Sequence, residues 1–284
     1  TGVEDASFLQ AAVKNNYQIH GIDQTYIYSF FLLMDRLLAL HETSTELAAA
    51  HQKAVAFVSE EYHLAAQQKD WPVAKHCLNS IAINSFFNLL DSSNMEVKNI
   101  VEEMKRSWKI YELNSIDRLR SFEERGALMK EHFLSYFHSV SQNKESPKIL
   151  IKLGAMHTMR GKTPLQIEDI GEVIATLAEE QAVKDINLFF MFRYYIDTEE
   201  ELGYFDNAEG NSKWLQDRRP FMLQGKVNQW TLLDLKALHD FTKEEEIYVN
   251  PVLQSFIDRH DYIILPPATQ DIQKNYTDQT ISNL

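Results

Sequence analysis

Cysteine is nearly missing from this 284-residue chain, with Cys77 the only one. No intrachain disulfide can form and no cysteine-rich zinc site can be assembled. Set in the run Ala74-Lys75-His76-Cys77-Leu78, that residue reads as a small core side chain. Glycine and proline are also scarce, at 9 and 7. None of them builds a phosphate loop, a dinucleotide glycine fingerprint or a Gly-x-Ser-x-Gly elbow, and there is no His-Glu-x-x-His. The nucleotide, serine-hydrolase and zinc-protease classes thereby lose their usual support.

Positive charge is in deficit as well. Lys and Arg number 28 against 41 Asp and Glu, a net charge of −13, and no basic run exceeds Lys105-Arg106 or Arg218-Arg219. Such a chain repels phosphate backbones and anionic lipid, so neither a nucleic-acid partner nor a membrane-surface role is expected. The longest apolar stretch, Phe30 to Leu40, is cut by Asp35 and Arg36. It is too short for the ~20 residues of a membrane span. The opening Thr1-Gly2 carries neither Met nor a signal-like region, which predicts a processed or truncated start and leaves the compartment unmarked.

What is present is ordinary globular composition, 44% hydrophobic and 24% charged, in a length that allows one large or two small domains. Before residue 145 the apolar spacing is helical. Val97, Ile100, Val101, Met104, Trp108 and Tyr111 share one helix face, with Ser93 and Glu96 as its capping box. Thr43 with Glu46 opens a helix to about Gln68. Asp23 or Gln24 opens another through Leu40, Pro72 starts one through Leu90, and Ser115 one through about Ser139. The stripe Phe30, Phe31, Met34 and Leu37 is expected to be core.

After residue 145 β-type runs appear: Lys148 to Leu153 ending at Gly154, Ile186 to Phe192, and Tyr262 to Leu265 before Pro266-Pro267, three strands, or four if Trp230 to Leu233 counts. Helical segments around Ile167 to Glu180 and Pro251 to Arg259 lie between them. Nearly continuous apolar runs predict strands covered on both faces. The alternation predicts the α/β class, a layered core with a mainly parallel or mixed sheet. Residues of about 24–142 would form a large helical insertion, with 1–23 (Tyr17 to Asp23 the end of a strand) and 143–284 supplying the core.

Two residues stand at predicted carboxyl-terminal strand ends, where open α/β sheets bind ligands. His157 follows Gly154-Ala155-Met156, where a neutral imidazole serves as general base or ligand. Asp23 closes the equivalent edge, so the two are predicted to open into one concavity; a helix-capping Asp and a loop His bonded to backbone are the plainer alternatives. On the long helix Arg120, Glu124, Arg125 and Glu131 form either an inward polar network or solvated pairs.

The order of these features resembles the erythromycin esterase-like superfamily, which also takes in haem-binding proteins of the ChaN type. The resemblance lies in Gly21-Ile22-Asp23-Gln24, Arg125-x-x-x-Met129-x-x-His132-Phe133, Lys148 to His157, and Asp261-Tyr262-Ile263-Ile264. It implies an α/β fold with a helical insertion, and a histidine that activates water for attack on a lactone carbonyl. His157 matches the last histidine of the strand-end motif, Arg125 the helix arginine, and Asp23 the acidic residue of the Gly-x-Asp segment. Gly154 stands where the family has another histidine, and the early Gly-Glu and His-Gly segments have no match. The resemblance therefore implies an esterase-like hydrolase of weak activity as given, acting on a small-molecule substrate without a cofactor. The alternatives are a non-catalytic binder of haem, held by an axial His or Tyr, or of another small ligand, and a helical protein-interaction module.

Overall fold

The computed structural model describes residues 3–42, 44–142, 147–196 and 204–269. The chain divides into two compact units, one of Thr1–Ile19 with Lys148–Asn275 and one that includes His20–Pro147. Among the described residues no helix is long and apolar enough to cross a membrane.

The described residues of the His20–Pro147 unit form helices and no strand: a 3-10 turn at Ile27–Ser29, then α2 (Phe30–Ala39), α3 (Thr45–Gln67), α4 (Val73–Asn79), α5 (Ile81–Asn88), α6 (Met95–Ile116) and α7 (Arg118–Ser141). Apolar side chains at steps of 3, 4 and 7 put one face of each helix inward. Phe30, Phe31, Met34 and Leu37 of α2 are all buried, as are Val97, Met104 and Trp108 of α6. Trp108 is the centre, edge-on to Phe30 with ring centroids 4.9 Å apart and stacked on Phe87 at 6.2 Å. The buried carboxylate of Glu61 is satisfied by Trp71 Nε1 at 2.8 Å and His76 Nδ1 at 2.7 Å.

The helix starts differ from the sequence expectation by chemistry that neighbouring residues share. Ser93 does not cap α6, because its own N–H and hydroxyl both donate to Asp91 Oδ1; Asn94 accepts from Glu96 N at 3.0 Å and Val97 N at 3.4 Å instead. Thr43 lies outside the described residues, and Ser44 caps α3 through Leu47 N. The helix expected from Pro72 to Leu90 breaks at Ser80, whose extended backbone lets its hydroxyl cap α5. Ser115 is inside α6, its hydroxyl turned back onto Glu112 O, and Asp117 caps α7.

In the other unit, α1 (Val3–Lys14) precedes α8 (Ile170–Glu180), β1 (Leu188–Phe190), a hairpin of β2 (Tyr194–Ile196) and β3 (Tyr204–Asp206), α9 (Lys213–Met222), β4 (Thr231–Asp234), α10 (Leu235–Glu244), α11 (Pro251–Arg259) and β5 (Tyr262–Leu265). The main sheet has order β1-β5-β4. β1 runs parallel to β5 with Phe189 opposite Ile263, and β4 runs antiparallel to it with Leu232 opposite Ile264, so the small sheet is mixed. Phe189, Ile263 and Leu265 pack on Phe221, Met222, Leu235, Phe256 and Ile257 of the helices.

Four expectations fail here. Tyr17 to Asp23 forms no strand, and Asp23 does not open a helix. Lys148 to Leu153 lies outside regular secondary structure and joins no sheet, and β1 remains an edge strand with β5 as its partner. The sheet is covered on one face only: Leu188, Phe190 and Leu232 are 41%, 49% and 60% exposed, while their neighbours Phe189 and Ile263 are buried.

The cap assignment is testable. Asn94→Ala should lower stability by ~1 kcal/mol, the usual cost of a lost side-chain cap, in urea unfolding followed by circular dichroism. Ser93→Ala should change it by less than ~0.5 kcal/mol, as exposed substitutions do. The reverse order would return the cap to Ser93.

Candidate functional site

His157 sits in a turn, its N–H bonded to Gly154 O at 3.0 Å. Twelve residues on, Asp169 is the N-cap of α8. Its Oδ1 accepts from Ile170 N at 2.7 Å and its Oδ2 faces His157 Nδ1 at 2.7 Å. Both residues are buried, at 5% and 4% exposure. A carboxylate opposite Nδ1 requires the ring hydrogen there, which leaves the lone pair of the neutral imidazole on Nε2.

The backbone around the pair is tightly latched. Gly171 N donates to His157 O at 2.9 Å. A Cβ at Gly171 would meet Thr158 O at 2.3 Å and Met159 O at 2.5 Å, so only glycine lets the helix start come this close to the loop. From the other side Asn187 Nδ2 donates to Thr158 O.

Arg160 fastens the loop to the sheet. Its Nε and Nη2 reach Asp185 Oδ2 at 3.0 and 2.8 Å, and its Nη1 and Nη2 reach the two oxygens of Asp261 at 3.0 and 2.6 Å. Asp261 Oδ2 also accepts from Asn187 N at 2.7 Å. Asn187 and Asp261 immediately precede β1 and β5, so the His157 loop is tied to the amino-terminal ends of the parallel pair. The carboxyl-terminal location expected from the sequence required a strand at 148–153, which does not form. Burial opposes the charge on Arg160, but its two carboxylate partners outweigh that and hold it above its usual range. Burial likewise pushes Asp261 up, and the Arg160 and Asn187 hydrogen bonds more than reverse this.

Asp23 and Arg125 are brought together in the helical unit. Arg125 Nε donates to Asp23 Oδ1 at 2.7 Å and Nη2 donates to Oδ2, a bidentate pair about one-third exposed. The same connection is strapped down by Thr25 N on Ser107 Oγ at 2.9 Å and by His132 Nδ1 on Ile22 O at 3.1 Å. Beside it is a cavity of ≈ 130 Å³ lined in part by Gln24, Tyr111, Asn114, Phe122 and Arg125. Of the predicted network, Glu131 pairs with Arg106 at 2.8 Å. The expectation that Asp23 and His157 share a sheet edge rested on the strands at 17–23 and 148–153, and without them each residue takes its partner inside its own unit.

Comparison with protein-family models, curated proteins and solved structures finds no match to this chain.

Sequence reasoning missed Asp169 and Asp185, and gave no role to Arg160 or to Asp261, although Asp261 opens one of the motifs of the resemblance. An Asp directly before the apolar helix Ile170–Glu180 is a visible capping signal, but its second oxygen facing His157 is a tertiary fact. Among the described residues no group of three or more His, Cys, Asp or Glu converges as metal ligands would.

His260, next to Asp261, carries a pH prediction. It is 2% exposed, stacked on Phe256 and edge-on to Phe189, with Nε2 lacking a partner. Burial pushes its pKa down from 6.5 to about 4; the Phe256 carbonyl and Asp261 oppose the shift, and Arg160 and Arg259 add to it. The folded state holds the ring neutral while the unfolded chain takes up a proton, so stability rises with pH through this window and is lost on acidification, by at most ~3 kcal/mol. Urea unfolding between pH 4 and 7 should show this slope, and His260→Phe should flatten it. Parallel curves for the two proteins would exclude His260 as the source.

Proposed function

We propose that the chain is a hydrolase in which His157, oriented by Asp169, acts as general base for attack of water on an ester or lactone. The single observation that carries this reading is the buried 2.7 Å contact between His157 Nδ1 and Asp169 Oδ2. An imidazole fixed at Nδ1 by a carboxylate has its tautomer and its ring plane set, and Nε2 can take a proton from water while the carboxylate stabilises the imidazolium that results. The reading agrees with the resemblance to the erythromycin esterase-like superfamily, in which His157 is the matched histidine. With it goes the proposal that the mixed sheet and its helices belong to a layered α/β core carrying residues 24–142 as a helical insertion.

Asp169 does two jobs that a substitution can separate. Asparagine is as good an N-cap as aspartate, so Asp169→Asn keeps the start of α8 while replacing the charged acceptor opposite His157. The expected activity is modest, because a general base contributes typically ~10²–10⁴-fold.

With the fold intact by circular dichroism, slow hydrolysis of p-nitrophenyl butyrate should fall by ~10²-fold or more in both His157→Ala and Asp169→Asn. No turnover above the buffer rate, or turnover indifferent to His157→Ala, would overturn the proposal.

A further inference from the structure

The His157 ring is nearly enclosed, with 6% of its side chain exposed, so a reactant needs a definite way in. The Cδ2 edge of the ring lies beside a residue that has no side chain. Gly154 is itself exposed, and a Cβ built on it would lie 3.7 Å from His157 Cδ2. Cδ2 is the ring carbon bonded to Nε2, the nitrogen that Asp169 leaves with the lone pair. A side chain at 154 would therefore begin in contact with the working edge of the imidazole and grow outward over it. Ala155, next in the chain, is also small and exposed.

We infer that Gly154 is the access point to His157, and that what enters over it is a small, uncharged acyl compound. The part of this inference that names an ester rests on the hydrolase reading; the access itself does not. The charge class follows from the groups bonded to the 157–161 segment. Asp169 holds His157, Glu172 accepts from Gly161 N at 2.6 Å, and Asp185 and Asp261 both hold Arg160. Four carboxylates therefore surround the segment, and its one guanidinium is already matched twice. An anionic substrate entering here meets this surplus of carboxylates, whereas an uncharged ester meets the exposed Gly154 and Ala155. No positive φ is required at 154, and its Cβ position has ordinary van der Waals clearance, so substitution there is compatible with the fold.

Diethyl pyrocarbonate, an uncharged acylating reagent for imidazole, is the probe. Its reaction with each histidine of the folded chain is followed by peptide mass spectrometry, with exposed His20 as the internal reference. Labelling of His157 should slow about threefold in Gly154→Ala and about tenfold or more in Gly154→Val, a tenfold change being ~1.4 kcal/mol of added barrier. Labelling of His20 should not change. The inference is overturned if His157 in the unaltered chain is not labelled, or if its rate is the same in all three folded proteins. A second arm compares p-nitrophenyl butyrate with a p-nitrophenyl ester bearing a carboxylate on its acyl chain. The uncharged ester should be favoured by about tenfold in kcat/KM, again ~1.4 kcal/mol, and preference for the charged one would overturn the charge assignment. Graded labelling without turnover of either ester would retain Gly154 as the access point and refute the hydrolase reading alone.

Discussion

The guanidinium of Arg160 joins three pieces of chain that lie far apart in the sequence: the loop that carries His157, Asp185 ahead of β1, and Asp261 ahead of β5. A parallel pair of strands has no hairpin to set its register and depends on a long crossover returning to the right place. Here the crossover contains the β2–β3 hairpin, α9, β4, α10 and α11, and the polar knot at its two ends fixes where β1 and β5 begin. Asp261 Oδ2 binds both Arg160 and Asn187 N, so one carboxylate oxygen couples side-chain and backbone pairing. Isolated exposed ion pairs are worth only ~0–1 kcal/mol. This one is half-buried, bidentate to Asp261 and shared with Asp185, the geometry in which breaking a pair leaves uncompensated charge and costs most. The small sheet needs such a fastening, because with Leu188, Phe190 and Leu232 exposed it draws hydrophobic stabilisation from one face only.

From that anchorage the position of His157 follows by short steps. Arg160 is three residues beyond it, Asn187 holds the intervening carbonyl of Thr158, and Gly171 brings the first turn of α8 against the same backbone. Asp169 then divides its oxygens between the helix and the imidazole. The carboxylate could not serve His157 alone without leaving Ile170 N unbonded in a buried place, and such a loss costs about 1–3 kcal/mol. Capping and orientation are thus one arrangement, and the ring is fixed by the same group that starts the helix.

How much of this the sequence disclosed depends on the range over which each signal acts. The helices of 24–142 were legible because their pattern is local: Val97, Met104 and Trp108 lie on one face whatever they pack against, and all three are buried. The starts of α3 and α6 were legible to within a residue, since in Ser92-Ser93-Asn94 any of three side chains can cap, and the choice falls to whichever is not already held, as Ser93 is by Asp91; α2 begins at Phe30 rather than at Asp23 or Gln24, and the break at Ser80 was not foreseen. Ile186 to Phe192 and Tyr262 to Leu265 were found as strands, because β-branched and aromatic runs bounded by turns favour a pleated surface. The identical argument failed for Lys148 to Leu153, because a strand exists only with a partner, and no local property states whether one is available. The polar site was the least legible. His157 was singled out by its place after a glycine, but Asp169, Arg160 and Asp261 carry ordinary roles in the sequence and acquire their joint role only when separations of 12, 25 and 101 residues are closed.

The two polar pairs in which the structure places Asp23, Arg125 and His157 differ in what chemistry they leave open. In Asp23 with Arg125, permanent charges of opposite sign are matched atom for atom through two parallel hydrogen bonds. Such a pair orders the chain from Ile22 to Thr25 on α6 and α7, and its guanidinium has little left with which to attract an anion. In His157 with Asp169 the match is one-sided. One ring nitrogen is committed and the other is not, and imidazole is the side chain whose proton moves nearest neutral pH. A site for proton transfer needs this asymmetry, a group held firmly at one atom so that it can act at another. His157 combines a buried orienting carboxylate with a nearby exposed glycine, and the proposed chemistry rests on that combination.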